Sequence, residues 1–145
     1  MSKFSSCLAS AAIAIVLSAA ANAQVTMRAS HQFPGGKGDV RDDMVQMIAK
    51  DVSAANVGLT IQVYPGASLF KPNDQWNAIV NGQLDITLFP LDYASGKVPV
   101  FSATLMPGLI RSQERAKRIN NSQFMTDVRA EIEKRGAIVL SDAWF

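Results

Sequence analysis

The sequence predicts an α/β fold with a mainly parallel sheet flanked by helices. Three observations lead there. Segments that alternate apolar and polar residues are interleaved with segments whose apolar residues recur every third or fourth position. Glycine or proline stands where one period gives way to the other. Each strand-to-strand connection is long enough to carry a right-handed crossover helix.

The first 23 residues are set apart from this fold. Lys3 gives a positive start, Leu8 to Ala21 is apolar or tiny, and Ala21-Asn22-Ala23 supplies small residues at cleavage spacing, which together read as a secretory signal peptide. The run is shorter than the roughly 20 apolar residues a spanning helix needs. The single cysteine, Cys7, lies inside it, so the mature chain has no thiol and no disulfide. Residues 24–145 then form one small domain whose apolar content argues against disorder.

Val25 to Ser30 reads as the first strand, and Pro34-Gly35-Gly36 as a loop. Gly38 and Asp39 open a helix whose inward face is expected to be Val40, Met44, Met47, Ile48, Val52 and Ala55, ending at Gly58. Leu59 to Tyr64 alternates as a strand and stops at Pro65-Gly66. Proline at a first helical turn forfeits no hydrogen bond, so a second helix starts at Pro72, turning Trp76, Ile79 and Val80 to the core until Gly82. Leu84 to Phe89 is a third strand. Beyond it come an irregular connection with Pro99 and Pro107, a helix from Ser112 to Asn120, a break at Asn121-Ser122, a helix to Lys134, and a strand from Ala137 to Leu140. Chain termini usually carry mobile polar residues, whereas this one stops on Trp144-Phe145 and looks cut.

In a parallel sheet the strand C-termini share one edge, and open α/β sheets bind ligands there. The loops expected at that edge are His31 to Gly38, Gly66 to Lys71, and Pro90 to Ala94. The glycines of the first loop do not make a phosphate loop: Gly36-Lys37 is followed by Gly38 instead of a hydroxyl residue, and no glycine stands five before Gly36. The dinucleotide spacing G-x-G-x-x-G fails as well. His31 is the sole histidine, so no histidine-based metal site forms, and no cofactor motif is present. His31 reads either as an anchor for its own loop or as a rim residue. Ser68, Asp85, Asp92 and Ser95 fall in no catalytic motif. Asp85 is a polar interruption at the sheet's opposite end. Phe89 and Trp144 either seal the core or wall a cleft.

Formal charge is +2 over the whole chain, falling to +1 without Lys3, and carries no dense cationic tract. Nucleic acid is therefore excluded as a partner. Arg111, Arg115 and Arg118 align on a helix face, but Glu114 stands among them and the face reads as solvated.

The chain resembles the periplasmic solute-binding proteins of tripartite ATP-independent periplasmic (TRAP) transporters, the dicarboxylate-binding DctP family. The resemblance is carried in order by HQFP at His31 to Pro34, IQVYPGASLF at Ile61 to Phe70, NAIVNGQLDITLF at Asn77 to Phe89, LMPGLI at Leu105 to Ile110, and RGAIVLSDAW at Arg135 to Trp144. It implies a type II periplasmic-binding-protein lobe, incomplete, with residues 24–145 as part of the N-terminal lobe of a two-lobed periplasmic binder. It further implies no enzymatic reaction, a small organic anion (a carboxylate) as ligand, and TRAP permease subunits as membrane partners. Gln32, Ser68, Phe89, Pro90, Leu91 and Trp144 match ligand-binding positions, with His31, Phe33 and Lys71 as loop or rim residues. Pro90 and Leu91 offer an apolar wall, which argues against a highly charged sugar acid. Family members are more than twice as long, and their main carboxylate-binding arginine is expected beyond Phe145; Arg111 and Arg115 do not match it. A small secreted α/β enzyme, or a truncated non-functional or protein-interaction domain, stands as the alternative.

Overall fold

A computed structural model describes residues 24–36 and 38–144. The expected signal peptide with Lys3 and Cys7, as well as Lys37 and Phe145, lie outside the described residues. Three strands, β1 (Val25–His31), β2 (Leu59–Tyr64) and β3 (Ile86–Leu88), form one sheet in the order β2-β1-β3. Both pairings are parallel: Val25 lies opposite Leu59 and Ser30 opposite Tyr64, while Ala29 to His31 run beside Ile86 to Leu88. The crossovers contain α1 (Val40–Ala54) and α2 (Pro72–Val80). All three strands thus end at one edge. β1 is the central strand, and its burial grows along its length until Ala29, Ser30 and His31 are enclosed at that end.

Helix α1 starts where Asp39 caps it, accepting the Arg41 backbone N–H at 3.0 Å, and Asp42 and Asp43 place negative charge in its first turn, where the helix dipole favours it. Its inward face differs from the one expected. Val40 is 68% exposed, Met47 57% and Ile48 45%, and Ala55 is exposed too; Met44 and Val52 are half-buried as expected, but the buried residues are Asp42 and Val45, with Ala49 half-buried. The stripe keeps helical spacing but is rotated, because Asp42 has polar partners inside and draws the helix round; apolar periodicity cannot weigh that pull. In α2 the buried residues are Gln75, Trp76 and Ala78, and Val80 is exposed where a core position was expected.

Strand β3 is shorter than the expected Leu84 to Phe89. Asp85 closes its start, accepting the Arg28 N–H at 2.7 Å while its own N–H reaches the Arg28 carbonyl at 3.2 Å. It therefore sits at the end of the sheet opposite the edge where the strands finish, as expected.

Downstream, Leu91–Ala94 and Pro99–Leu105 are 3-10 turns, and α3 (Gln113–Asn120) and α4 (Gln123–Glu133) are capped by Ser112 and Ser122. The expected break at Asn121-Ser122 is present. The expected strand from Ala137 to Leu140 is not: Ile138 and Leu140 are each 73% exposed, and the segment has no ladder partner among the described residues. Alternation makes a strand only where a neighbouring backbone can pair with it.

The main apolar cluster comprises Trp76, Ala94, Val98, Phe101, Met125, Val128 and Ile132, joining α2 to the 3-10 turns and α4. Trp76 stands edge-on to Phe101, with ring centres 5.2 Å apart, and tilted to Phe89 at 6.3 Å. Among the described residues no helix is long and apolar enough to cross a membrane.

Candidate functional site

The edge where the strands end is held as one unit by backbone bonds between the first two loops. The Gly66 N–H donates to the Phe33 carbonyl and the Ala67 N–H to the His31 carbonyl, both at 2.8 Å. The contact is close enough to require glycine: a Cβ on Gly35 would lie 2.5 Å from Cγ of Pro65. Ala67 takes a left-handed φ of 57° to make the turn.

Beneath this edge sits a buried polar group. His31 and Asp42 are both out of solvent, and His31 Nε2 lies 3.1 Å from Asp42 Oδ1. Asp42 Oδ2 accepts the Gly36 N–H at 3.0 Å, and Asp42 Oδ1 accepts from the Gln46 amide at 3.2 Å. The Gly36 N–H, foremost, holds the Asp42 carboxyl below the usual carboxylate range; burial opposes it, and Gln46 and His31 add to the lowering. The Phe33 ring stacks on His31 at 5.9 Å and carries the Arg41 guanidinium 3.9 Å from its centre. His31 is fully enclosed and Phe33 8% exposed, so both lie beneath the loop and pack on α1: the Phe33 ring carries the Arg41 guanidinium, and His31 Nε2 faces Asp42 Oδ1 without forming a hydrogen bond.

A second polar tie runs on the other side. Gln75 is fully buried; its amide donates to the Phe70 carbonyl at 3.3 Å, and its oxygen accepts the Thr87 hydroxyl at 2.6 Å. This fixes the loop after β2 to β3. Sequence reasoning missed Asp42 and Gln75, because isolated polar residues in amphipathic helices read as surface. A lone histidine closing a strand, followed by an Asp-Asp pair in the next helix's first turn, was the available signal for Asp42.

Of the expected ligand positions, Gln32, Ser68, Phe89, Pro90 and Leu91 fall in the loops at this edge. Gln32 is half-buried, with its side-chain oxygen enclosed and lacking a hydrogen-bond partner among the described residues. Ser68 is exposed, and Lys71 is exposed at the start of α2. Phe89 and Leu91 pack against the main apolar cluster. Trp144 packs on the same cluster and is held by Asn120, which is 1% exposed and accepts the Trp144 N–H at 3.3 Å while donating to its carbonyl. The open side of Trp144 lines a separate groove of about 470 Å³ with Ile110, Ser112, Gln113, Ala116 and Ala143; Gln32, Ser68 and Phe89 do not line it. The edge is therefore polar at Gln32 and apolar at Phe89 to Leu91, with no nucleophile and base brought together by the bonds described.

The family model for bacterial extracellular solute-binding proteins, family 7, matches residues 35–144. A solute-binding protein of Albidiferax ferrireducens is 37% identical over 122 residues, covering 81% of this chain and 36% of that protein. The chain thus spans little more than a third of this relative's length. Among solved structures, a TRAP periplasmic solute binding protein from Rhodoferax ferrireducens with bound malonate is 37% identical, with a TM-score of 0.75 over 79% of this chain and 38% of that one. A Bordetella pertussis extracytoplasmic solute receptor binding pyroglutamic acid shares the fold at 18% identity, with a TM-score of 0.72 over 80% of this chain and 38% of that one.

Proposed function

The chain belongs to the bacterial extracellular solute-binding proteins of family 7, and from that premise we propose that its gene product captures a small organic carboxylate in the periplasm for the membrane permease of a TRAP transporter. Residues 1–23 serve as the export signal, cleaved near Ala23, and residues 24–145 supply part of the N-terminal lobe. No reaction is catalysed; the protein binds and delivers.

The observation that carries this reading is the common edge of three parallel strands, where Gln32 and the Phe89-Pro90-Leu91 segment follow directly on the paired ends of β1 and β3, His31 beside Leu88. The malonate bound by the Rhodoferax ferrireducens relative at 37% identity gives the ligand class its support. Gln32 orients the solute through its amide, and Phe89, Pro90 and Leu91 supply an apolar wall that excludes water from one side. Trp144 contributes shape from the neighbouring groove. Charge recognition falls to an arginine outside the present sequence, since a planar guanidinium pairs with carboxylate through two parallel bonds.

Calorimetry of the full-length gene product against dicarboxylic, keto and hydroxy acids tests the reading. One of these acids is expected to bind well, and Gln32→Ala to weaken it about tenfold, the equivalent of about 1.4 kcal/mol. Absence of binding across the panel overturns the ligand class; an unchanged affinity in the variant overturns the role of Gln32.

A further inference from the structure

We propose that Asp42 is the positioning residue of the binding edge: from α1 it holds the loop after β1 in its binding conformation before solute arrives. This rests on the reading of Gln32 as a ligand contact. Asp42 touches three pieces of chain at once. Its Oδ1 lies 3.1 Å from Nε2 of His31, the last residue of β1; its Oδ2 accepts the Gly36 N–H at 3.0 Å; and Gln46, one turn along α1, donates to Oδ1 at 3.2 Å. Gln32 lies between His31 and Gly36, so the stretch carrying it is bonded to the carboxylate at Gly36 and packed against it at His31.

The pin is well placed to act on affinity. Asp42 is 2% exposed and His31 is fully enclosed, so water does not compete for the carboxylate. The other face of the loop is clamped to residues 66 and 67 by two backbone bonds, both at 2.8 Å. Without the carboxylate, the Gly36 N–H loses its acceptor and the His31 ring the polar group it packs against, and the segment samples other conformations. Apparent affinity then falls by the fraction of molecules that keep the competent one.

A double-mutant cycle on the full-length gene product separates this role from mere structural support. Asp42→Asn keeps the shape and an acceptor but removes the charge, and Asp42→Ala removes both. Titration with the organic acid bound most tightly by the wild type should show about a tenfold loss for Asp42→Ala and a smaller one for Asp42→Asn. In a Gln32→Ala background neither should weaken binding further, because Asp42 acts through Gln32. Full additivity in that background would overturn the proposal, as would unchanged affinity in both single variants. Should Asp42→Ala fail to fold, Asp42→Asn carries the cycle alone. Amide hydrogen exchange gives a readout independent of any acid: the Gly36 N–H should be protected in the wild type and less protected in Asp42→Asn, whose one oxygen cannot stand in both places that the two carboxylate oxygens fill for Gly36 and Gln46. If no acid binds the wild type, the proposed ligand class fails while this exchange measurement still decides the positioning role; equal Gly36 protection in both proteins would refute it.

Discussion

The imidazole of His31 meets the carboxylate of Asp42 at 3.1 Å beneath the strand-end loops, with Asp42 only 2% exposed and His31 sealed completely. A carboxylate so enclosed must be satisfied by fixed donors, and the Gly36 N–H at 3.0 Å is the first of them. The strand, the loop and the helix are therefore joined through one side chain.

The pH dependence of stability follows from that joint. Because the folded protein holds the Asp42 carboxyl below its ordinary value, the carboxylate's contribution is fully present above the unfolded carboxyl range, about pH 3.9. It is lost as pH falls through the lower, folded value. Asp42→Asn, which has no proton to take up, should be less stable than the wild type at pH 6, and the gap should shrink toward pH 3. Chemical denaturation of both proteins at the two pH values checks this; a constant gap would mean that the charge of Asp42 contributes nothing.

Gly35 and Gly36 should fail differently. A methyl group on Gly35 would meet the Pro65 ring at 2.5 Å, and a proline ring cannot swing aside, so the two loops must part. Gly35→Ala is expected to cost about 1–3 kcal/mol, the range for overpacked sites. Gly36 has open space around it but a φ of +66°, so Gly36→Ala should cost about 1–2 kcal/mol through backbone strain alone. Thermal unfolding measures both, and solute affinity should fall only for Gly35→Ala, where the loops are displaced.

What could be read from the sequence and what could not divides along physical lines. β1, β2, α2 and the α3 to α4 break were legible because each is set by local rules: alternation, a proline in the first helical turn, serine caps. The inward face of α1 was not, since Asp42 outweighs Met47 and Ile48 only through polar neighbours on the preceding strand and loop, His31 and Gly36, which apolar periodicity does not register. Ala137 to Leu140 carries a strand pattern, yet pattern supplies no partner backbone. At the site, the loops bearing Gln32, Ser68 and Phe89 to Leu91 followed from parallel topology. Gln75 and Asp42 did not, because a polar side chain becomes structural only once its partners are known.

Gln75 offers a test of that last point. Its replacement by leucine keeps the volume but strips the Phe70 carbonyl of its donor and leaves the Thr87 hydroxyl only the Ser30 carbonyl at 3.0 Å, so a loss of about 1–3 kcal/mol is expected. Thr87→Val should cost less in the Gln75→Leu background than in the wild type, because the bond between Gln75 and Thr87 is already gone. Denaturant titration of the four proteins in the cycle checks this, with simple additivity counting against a coupled pair.

Trp144 has a clear optical consequence. The chain has two tryptophans, and Trp76 is 6% exposed in the core, whereas Trp144 is half-buried with one side open to the groove. Asn120 holds the backbone of Trp144 by accepting its N–H and donating to its carbonyl, and is itself 1% exposed, so nothing else replaces it readily. Asn120→Ala should therefore release Trp144 into water, red-shift the summed tryptophan emission, and destabilise the fold by about 1–2 kcal/mol. In a Trp144→Phe background the same substitution should leave the emission unchanged, because the contacts of Trp76 with Phe101 and Phe89 do not involve Asn120. A red shift that persists without Trp144 would show instead that Asn120 supports the whole apolar cluster, and the two-point hold on Trp144 would lose its special role.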